Sequence, residues 1–166
     1  MPHLYALGLG SNRYRHGPPK RTIARALAAL EAEGVAILAR SPIVATHPLG
    51  AGVRDFANAA ALARTGCDPA AMLALCKAIE RRFGRRAGRV WGDRSLDIDL
   101  LLWSGGSWSG AGLTLPHPAL RERRFVLDPL AAIAPDWRDP VTGLSIRRLR
   151  RLLHRPKPVD RRPPAA

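Results

Sequence analysis

The sequence predicts an α+β fold of the ferredoxin-like kind, in which helices flank a mainly antiparallel sheet. Short apolar runs typical of strands alternate with segments of helical periodicity, in the order strand, helix, two strands, helix, strand. The chain has 166 residues, enough for one buried core, and shows neither an internal repeat nor an interdomain linker. We therefore expect one domain over residues 1–154, followed by a basic, proline-rich and flexible tail over residues 155–166.

The first half of the chain begins with an apolar run over residues 4–9, which predicts a strand ending in a turn at residues 10–12. Apolar residues then recur at intervals of four and three up to Gly34, which predicts a helix after two prolines. Residues 35–45 should be extended, and Pro42 makes this segment an edge or bulged strand. Residues 57–63 should form the next strand.

The second half opens with the firmest element. Asp68 and Pro69 form a good helix start, and an apolar stripe continues from there to Gly84. Residues 96–103 then form an apolar strand, and residues 104–112 a turn rich in glycine and serine. Beyond them we expect a loop at residues 116–118, an apolar segment over 125–133 and a short basic helix near 145–153.

Charge is the most unusual feature of the composition. The chain has 27 Lys and Arg residues against 13 Asp and Glu residues, which gives a net charge of +14. Half of this excess lies between Arg147 and Ala166, where eight basic residues face the single acid Asp160. Such charge implies an anionic partner but leaves its kind open. An arginine-rich composition that merely keeps the protein soluble remains an alternative.

The cysteines and the apolar runs indicate a cytoplasmic protein. Cys67 and Cys76 match no zinc or redox spacing, and we expect both to be reduced thiols. No apolar run is long enough to span a membrane, and the first residues lack the pattern of a secretory signal. We also expect a monomer.

The most informative residues are Asp97 and Asp99, which interrupt the apolar strand at residues 96–103. Residues i and i+2 of a strand point to the same face, so the two carboxylates should lie side by side. Two neighbouring anions repel each other and need a cation. The dyad alone leaves two readings open, salt bridges to arginine or a Mg²⁺ site.

Several arginines just upstream of the dyad favour the second reading. They lie in a glycine-containing stretch that includes Arg85 and Arg94. Cationic and acidic side chains together suit a metal ion and a polyphosphate, the combination that phosphoryl transfer requires. A metal-dependent nuclease and a basic nucleic-acid-binding module remain the alternatives from other functional classes, although an acidic pair would hinder nucleic-acid binding.

The segment from Trp91 to Leu101 closely resembles the signature of the 6-hydroxymethyl-7,8-dihydropterin pyrophosphokinase family of the folate pathway. Further motifs of that family occur in the same order along residues 4–153. They are Gly10-Ser11-Asn12, Thr46-His47-Pro48-Leu49-Gly50, Phe56-Ala57-Asn58-Ala59, Ile79-Glu80, Leu115-Pro116-His117 and Arg123-Arg124-Phe125-Val126-Leu127 followed by Pro129-Leu130. Their number and order make coincidence a poor explanation.

The resemblance implies transfer of the β,γ-diphosphate of ATP to the hydroxymethyl group of a reduced pterin, with release of AMP. Asp97 and Asp99 match the family's ligands for two Mg²⁺ ions. Arg85 and Arg94 match arginines that handle phosphate, and with the two aspartates they are the implied catalytic residues. The chain has Val90 and Asp93 where the family commonly has arginine and proline. This departure affects which arginine of the loop contacts phosphate, and it leaves the metal site unchanged.

The resemblance also implies two substrate pockets, for ATP and for the pterin. The ATP-contacting positions are Lys77, Glu80, Arg85, Arg94, Ile98, His117 and Arg123. The pterin-contacting positions are Thr46, Leu49, Phe56, Asn58, Trp91 and Phe125. Phe56 and Phe125 resemble the aromatic pair that sandwiches the pterin ring, and Asn58 resembles the residue that reads its polar edge.

Overall fold

The structure is a computed structural model that describes residues 1–12, 17–46, 56–84 and 95–156. Seven strands and four helices occur in these ranges. In chain order they are β1 (His3–Ser11), α1 (Pro19–Ala32), β2 (Ala36–Arg40), β3 (Val44–Thr46), β4 (Phe56–Thr65), α2 (Pro69–Arg82), β5 (Asp97–Trp103), β6 (Trp108–Gly110), β7 (Leu113–Leu115), α3 (Arg124–Ile133) and α4 (Ile146–Leu153). This composition confirms the predicted α+β class.

The main sheet has the strand order β2-β4-β1-β5, and β3 also pairs with β4. All of these pairings are antiparallel. Strand β1 lies in the centre, between β4 and β5, while β5 forms one edge of this order. Strands β6 and β7 form a separate antiparallel pair. The central sheet therefore brings β5, with its two aspartates, directly beside the glycine-containing end of β1.

Alternation along the strands builds a core on each face of the sheet. Tyr5, Leu7 and Leu9 of β1 belong to a core that also contains apolar residues of α1 and α2. Ala6 of β1 belongs to a second core, formed with apolar residues of α3 and α4. Because successive strand residues point to opposite faces, one strand serves both cores. In strand β5, Ile98 and Leu100 lie in the first core, and a register shift at Leu101 places both Leu101 and Leu102 in the second.

The start of α2 follows its sequence closely. The side chain of Asp68 accepts a hydrogen bond from the Ala71 N–H at 2.8 Å, and Pro69 is the first helical residue. Such a cap is worth about 1 kcal/mol because it satisfies an amide that has no partner inside the helix. The last helix, α4, begins in the same way, with the Ser145 side chain accepting from the Arg148 N–H.

The segment over residues 35–45, predicted to be extended, forms two strands, β2 and β3, with Pro42 between them. A register shift between Ile37 and Ala39 confirms the bulge, and β2 lies at the sheet edge. The turn predicted at residues 10–12 was placed too early. Strand β1 continues through Ser11, because Gly10 pairs with β4 on one side and β5 on the other.

The segment over residues 104–112 was predicted as a turn throughout, and this was wrong for its second part. It contains β6, which pairs with β7 around the positive-φ residues Ala111 and Gly112. The apolar segment predicted over 125–133 is α3, and the basic helix predicted near 145–153 is α4. Residue 157 and those after it, which form most of the predicted tail, lie outside the described residues.

Both cysteines are free, as predicted. Cys67 lies just before the Asp68 cap of α2, and Cys76 lies within that helix. Burial raises the pKa of Cys76 to about 12, which keeps the thiol protonated. Within the described ranges, no helix combines the length and apolarity that crossing a membrane requires.

Candidate active site

The two aspartates lie at the start of β5 and share one face of the sheet. Asp97 pairs with Gly10 of β1, and Asp99 pairs with Gly8. Neither partner has a side chain, and a Cβ at Gly8 would lie 3.3 Å from the Leu101 side chain. The predicted side-by-side arrangement follows from this regular strand geometry.

A third strand extends this row of residues. Gly10 also pairs with Asn58 of β4, which places Asn58, Gly10 and Asp97 in line across three strands. With strands about 4.8 Å apart, the backbones of Asn58 and Asp97 are separated by about 10 Å. A Cβ at Gly10 would lie 3.3 Å from the Asn58 Oδ1. The glycine therefore leaves room for the Asn58 amide oxygen, which a larger residue at position 10 would crowd.

Burial and a neighbouring charge both act on the Asp99 carboxyl of the dyad. Burial raises the pKa of Asp99, and the neighbouring Asp97 carboxylate raises it further. His117 and Lys77 act in the opposite direction without outweighing these effects. Within the described ranges, Asp99 makes no hydrogen bond or ion pair. A cation bound against the dyad would relieve the repulsion and favour the ionised form.

The donor set of the dyad fits magnesium. Mg²⁺ commonly takes one or two protein carboxylates and completes its octahedron with waters and substrate phosphates. Asp97 and Asp99 supply two such carboxylates. No group of three or more His, Cys, Asp or Glu side chains with metal-binding geometry occurs in the described parts of the chain. Waters and a polyphosphate would supply the remaining oxygens.

Glu80 joins α2 to the edge strand β5. Its side chain is fully buried, and its Oε1 accepts a hydrogen bond from the Ile98 N–H at 2.8 Å. Lys77, one helical turn earlier, lies 3.1 Å from the Glu80 Oε2. The carboxylate thus satisfies an amide at the edge of the sheet and holds a lysine near Asp99. These contacts bring together three predicted ATP-contacting positions, Lys77, Glu80 and Ile98.

His117 approaches the dyad from the segment that connects β7 to α3. Its backbone N–H donates to the Leu101 carbonyl of β5 at 2.9 Å. Its Nδ1 accepts a hydrogen bond from the Ala119 N–H at 3.1 Å. An Nδ1 that accepts carries no proton, so Nε2 bears the hydrogen of the imidazole. The ring therefore offers an Nε2–H donor on the side away from its own loop.

Arg123 and Phe125 lie at the start of α3. The Arg123 guanidinium carbon is 5.6 Å from the centroid of the Phe125 ring, within the range of a cation–π contact. Phe125 is 48% exposed, and Phe56 at the start of β4 is 40% exposed. Large aromatic side chains left in water are available for stacking on a ligand. Both members of the predicted aromatic pair therefore have accessible rings.

Several predicted site residues are not placed. Leu49, Arg85, Trp91 and Arg94 lie outside the described residues. Thr46 ends β3, and its backbone pairs with Phe56 of β4. The residues that the structure does bring to one region are Lys77, Glu80, Asp97, Ile98, Asp99 and His117.

Ser11 has a role that its sequence context did not predict. Instead of lying in a turn, it is 1% exposed, and its Oγ donates to the Ser95 carbonyl at 2.6 Å. The Ser95 Oγ in turn donates to the Phe83 carbonyl at the end of α2. This chain of hydrogen bonds ties the end of β1 to the segment before β5. Because its members are far apart in sequence, no local pattern could have revealed it.

Comparison with known proteins gives a consistent result. The family model described as 7,8-dihydro-6-hydroxymethylpterin-pyrophosphokinase (HPPK) matches residues 6–135. A 2-amino-4-hydroxy-6-hydroxymethyldihydropteridine pyrophosphokinase of Methylorubrum extorquens is 44% identical over 132 residues, covering 78% of this chain and 82% of the relative. One of Synechocystis sp. is 37% identical over 145 residues, covering 87% of this chain and 73% of the relative.

Solved structures agree on the fold. An HPPK-DHPS in complex with substrates superposes with a TM-score of 0.71 at 15% sequence identity, covering 92% of this chain and 43% of that one. The wild-type HPPK-DHPS of Plasmodium falciparum gives the same score and identity, covering 92% of this chain and 41% of that one. The chain thus spans less than half the length of these solved proteins, and at this identity the likeness concerns the fold.

Proposed function

Since the chain belongs to the 7,8-dihydro-6-hydroxymethylpterin-pyrophosphokinase family, we propose that it transfers the β,γ-diphosphate of ATP to the hydroxymethyl group of 6-hydroxymethyl-7,8-dihydropterin and releases AMP, a step of folate biosynthesis. The observation that carries this proposal is the pair of carboxylates on β5, set against two glycines of β1. Family membership favours this reaction over the nuclease and the nucleic-acid-binding module that the residues alone left open.

Asp97 and Asp99 would hold two Mg²⁺ ions against the triphosphate. Bound magnesium would neutralise charge on the oxygens of the β-phosphoryl group, whose phosphorus the pterin hydroxyl attacks as AMP leaves. The raised pKa of Asp99 supports this assignment, because burial and the Asp97 charge both disfavour its ionised form unless a cation is bound. With charge neutralisation supplied in this way, the chain's main task is to position two substrates.

The nucleotide would lie along the open edge of β5. Lys77 reaches this edge from α2, oriented by its ion pair with the buried Glu80. The Nε2–H of His117 is available to a phosphate oxygen, because its Nδ1 is already occupied by the Ala119 N–H. Arg123 would add a guanidinium from the start of α3. We assign Arg85 and Arg94 to phosphate as well, on the strength of the family motif alone.

The pterin would lie on the other side of the dyad, towards β4. Phe56 and Phe125 would stack on its ring, and Asn58 would hydrogen-bond to its polar edge. The register supports this placement, since Asn58, Gly10 and Asp97 lie in line across three strands and Gly10 leaves room for the Asn58 amide oxygen. Thr46, Leu49 and Trp91 would complete the pocket. In this arrangement the hydroxymethyl group would point towards the carboxylates. We further propose that the protein acts as a monomer in the cytoplasm.

The proposal is tested by incubating the protein with ATP, Mg²⁺ and 6-hydroxymethyl-7,8-dihydropterin and separating the nucleotides. We expect AMP and a pterin diphosphate in equal amounts, and neither product when the pterin or the metal is omitted. Formation of ADP would indicate transfer of a single phosphoryl group and would contradict the proposal, as would the absence of any nucleotide product.

A further inference from the structure

Asp139 lies between α3 and α4, far in sequence from every residue assigned above, and its side chain is fully buried. Its carboxylate accepts four hydrogen bonds. Arg121 supplies two of them, from Nε to Oδ2 at 2.7 Å and from Nη2 to Oδ1 at 2.8 Å. The Val141 N–H and the Thr142 hydroxyl supply the others, at 3.0 and 2.7 Å. A bidentate arginine pair of this kind fixes both partners in orientation as well as in distance.

Arg121 belongs to the segment over residues 116–123, which connects β7 to α3. That segment also carries His117 and Arg123, two of the positions assigned to the nucleotide. Its beginning is held by the hydrogen bond from His117 to the Leu101 carbonyl, and its middle by the fully buried Leu120. The Arg121–Asp139 pair holds the remaining part, two residues before Arg123. The α3–α4 connection thus anchors a loop that reaches the candidate active site.

We propose that Arg121 and Asp139 are positioning residues for the nucleotide, fixing the segment over residues 116–123 so that His117 and Arg123 are in place before ATP binds. This inference rests on the proposed function, because it takes those two side chains as ATP contacts. A loop that is ordered in advance loses less conformational freedom on binding, which favours affinity. The pair acts through the backbone and need not touch the substrate.

The pterin side should not depend on this pair. Phe125 lies on α3, and α3 is held independently by Leu127 and Leu130, which are fully buried in the second core. Loss of the pair should therefore weaken ATP binding selectively, whereas general damage to the fold would affect both substrates. This difference separates a positioning role from a merely structural one.

The structure also provides a matched control. Arg150 of α4 donates from Nε to Asp128 of α3 at 2.6 Å, so it too joins an arginine to an aspartate across the α3–α4 region. The Arg150 and Asp128 side chains are 50% and 38% exposed. Within the part of the chain that the structure describes, neither is bonded to residues 116–123. Removing it should leave ATP binding unchanged.

The experiment uses the full chain and four variants, Arg121→Ala, Arg121→Lys, Asp139→Asn and Arg150→Ala. Binding of a nonhydrolysable ATP analogue with Mg²⁺ is measured by calorimetry, and KM is measured separately for ATP and for the pterin. For Arg121→Ala and Asp139→Asn we expect analogue binding to weaken about 10-fold, with the pterin KM within about 2-fold of wild type. Arg121→Lys keeps the charge but loses the fork, and should fall between them and wild type.

Three outcomes would overturn the inference. Wild-type analogue binding in folded Asp139→Asn, together with weak binding in Arg121→Ala, would mean that Arg121 touches the nucleotide itself. Equal losses for ATP and the pterin would mean a general structural role. Weakened analogue binding in Arg150→Ala would remove the distinction from the control pair. If Arg121→Ala or Asp139→Asn fails to fold, Arg121→Lys decides, and wild-type binding in it contradicts the inference.

Failure of the proposed function would look different. In that case the wild-type protein would release no AMP with ATP, Mg²⁺ and the pterin. Binding of the ATP analogue does not require turnover, so the comparison among the variants would still test the positioning role.

Discussion

Two acidic regions of this molecule are partly or wholly removed from water, yet they differ in what surrounds them. Asp139 accepts four hydrogen bonds from protein groups, whereas Asp99 receives none from the described residues and lies beside another carboxylate. Burial acts to raise the pKa of both. At Asp139 the bonds from Arg121, Thr142 and Val141 outweigh burial and lower it, while at Asp99 the Asp97 charge adds to burial and raises it.

This difference separates a carboxylate that is bonded to protein groups from one to which we assign a bound metal. A protein normally provides partners for buried charges, because an unpaired charge is costly. On β5 the Asp99 carboxyl lies beside a second acid, and a bound cation would relieve the repulsion between the two. We therefore assign the same residue type a structural role in the α3–α4 connection and propose a metal-binding role for it on β5.

The largest effect that tests this contrast is the loss of activity in Asp99→Asn. We expect kcat to fall by about 10³-fold or more, because the variant removes a ligand for the ions that neutralise the phosphoryl charge. Thermal stability should stay equal or rise, because the repulsion from Asp97 is removed. The measurements are AMP release and thermal unfolding. Asp128→Asn, the same change on α3, is the control and should keep wild-type turnover. Activity within tenfold of wild type in Asp99→Asn would refute the metal role.

Replacing Asp139, the carboxylate that is bonded to protein groups, should destabilise the fold. Asp139→Ala removes the acceptor of four hydrogen bonds and leaves Arg121 without its partner. Removing one member of a buried pair is strongly destabilising, and since the Arg121 side chain is 30% exposed we expect a loss of about 2–4 kcal/mol in the free energy of unfolding. Urea denaturation measures this loss. A change below about 1 kcal/mol would show that the network contributes little to the fold.

The stability that the ionised Asp139 carboxylate contributes should be lost in acid. Since the pKa of Asp139 is lower in the folded protein than in the unfolded chain, its ionised form stabilises the fold at neutral pH. That contribution is fully present above the unfolded value, about 3.9, and is lost as the pH falls through the folded value. The difference in unfolding free energy between wild type and Asp139→Asn should therefore be constant from pH 7 to about 5 and shrink below about 4. A difference that grows in acid would contradict the assigned direction.

The smallest effect is expected for the exposed pair. Arg150→Ala breaks an ion pair whose partners are half and more than one third exposed, and such pairs contribute about 0–1 kcal/mol. Urea denaturation should barely distinguish this variant from wild type at moderate salt. A loss as large as that of Asp139→Ala would show that burial is not what distinguishes the two pairs.

Much of the fold could be predicted because its signals are local. Asp68 and Pro69 predict the start of α2, and the apolar run around Asp97 and Asp99 predicts β5 and the shared face of its carboxylates. The β6–β7 hairpin was missed because its glycines and serines resemble a simple turn. The end of β1 was predicted too early for the same reason. Glycine is uncommon inside a strand, so Gly10 indicated a turn, and only its pairing with β4 and β5 shows that the strand continues.

The site could be predicted in its chemistry but not in its surroundings. The spacing of Asp97 and Asp99, two residues apart in an apolar strand, is visible in the sequence. The resemblance to a family supplied the candidate ATP- and pterin-contacting positions. The two glycines opposite the aspartates depend on the register of β1 against β5, which no local pattern specifies. The Arg121–Asp139 pair joins residues 18 positions apart through a turn and a helix, so only the folded chain reveals it.

The central claim is that Asp97 and Asp99 hold divalent metal against the triphosphate of ATP. Its most direct test is a crystal structure with Mn²⁺ in place of Mg²⁺ and a nonhydrolysable ATP analogue, using the anomalous signal of manganese to locate the metal. We expect manganese within about 2.3 Å of an oxygen of each carboxylate and bridging to phosphate oxygens. Carboxylates bound only by arginine side chains, with manganese on the phosphates alone, would contradict it.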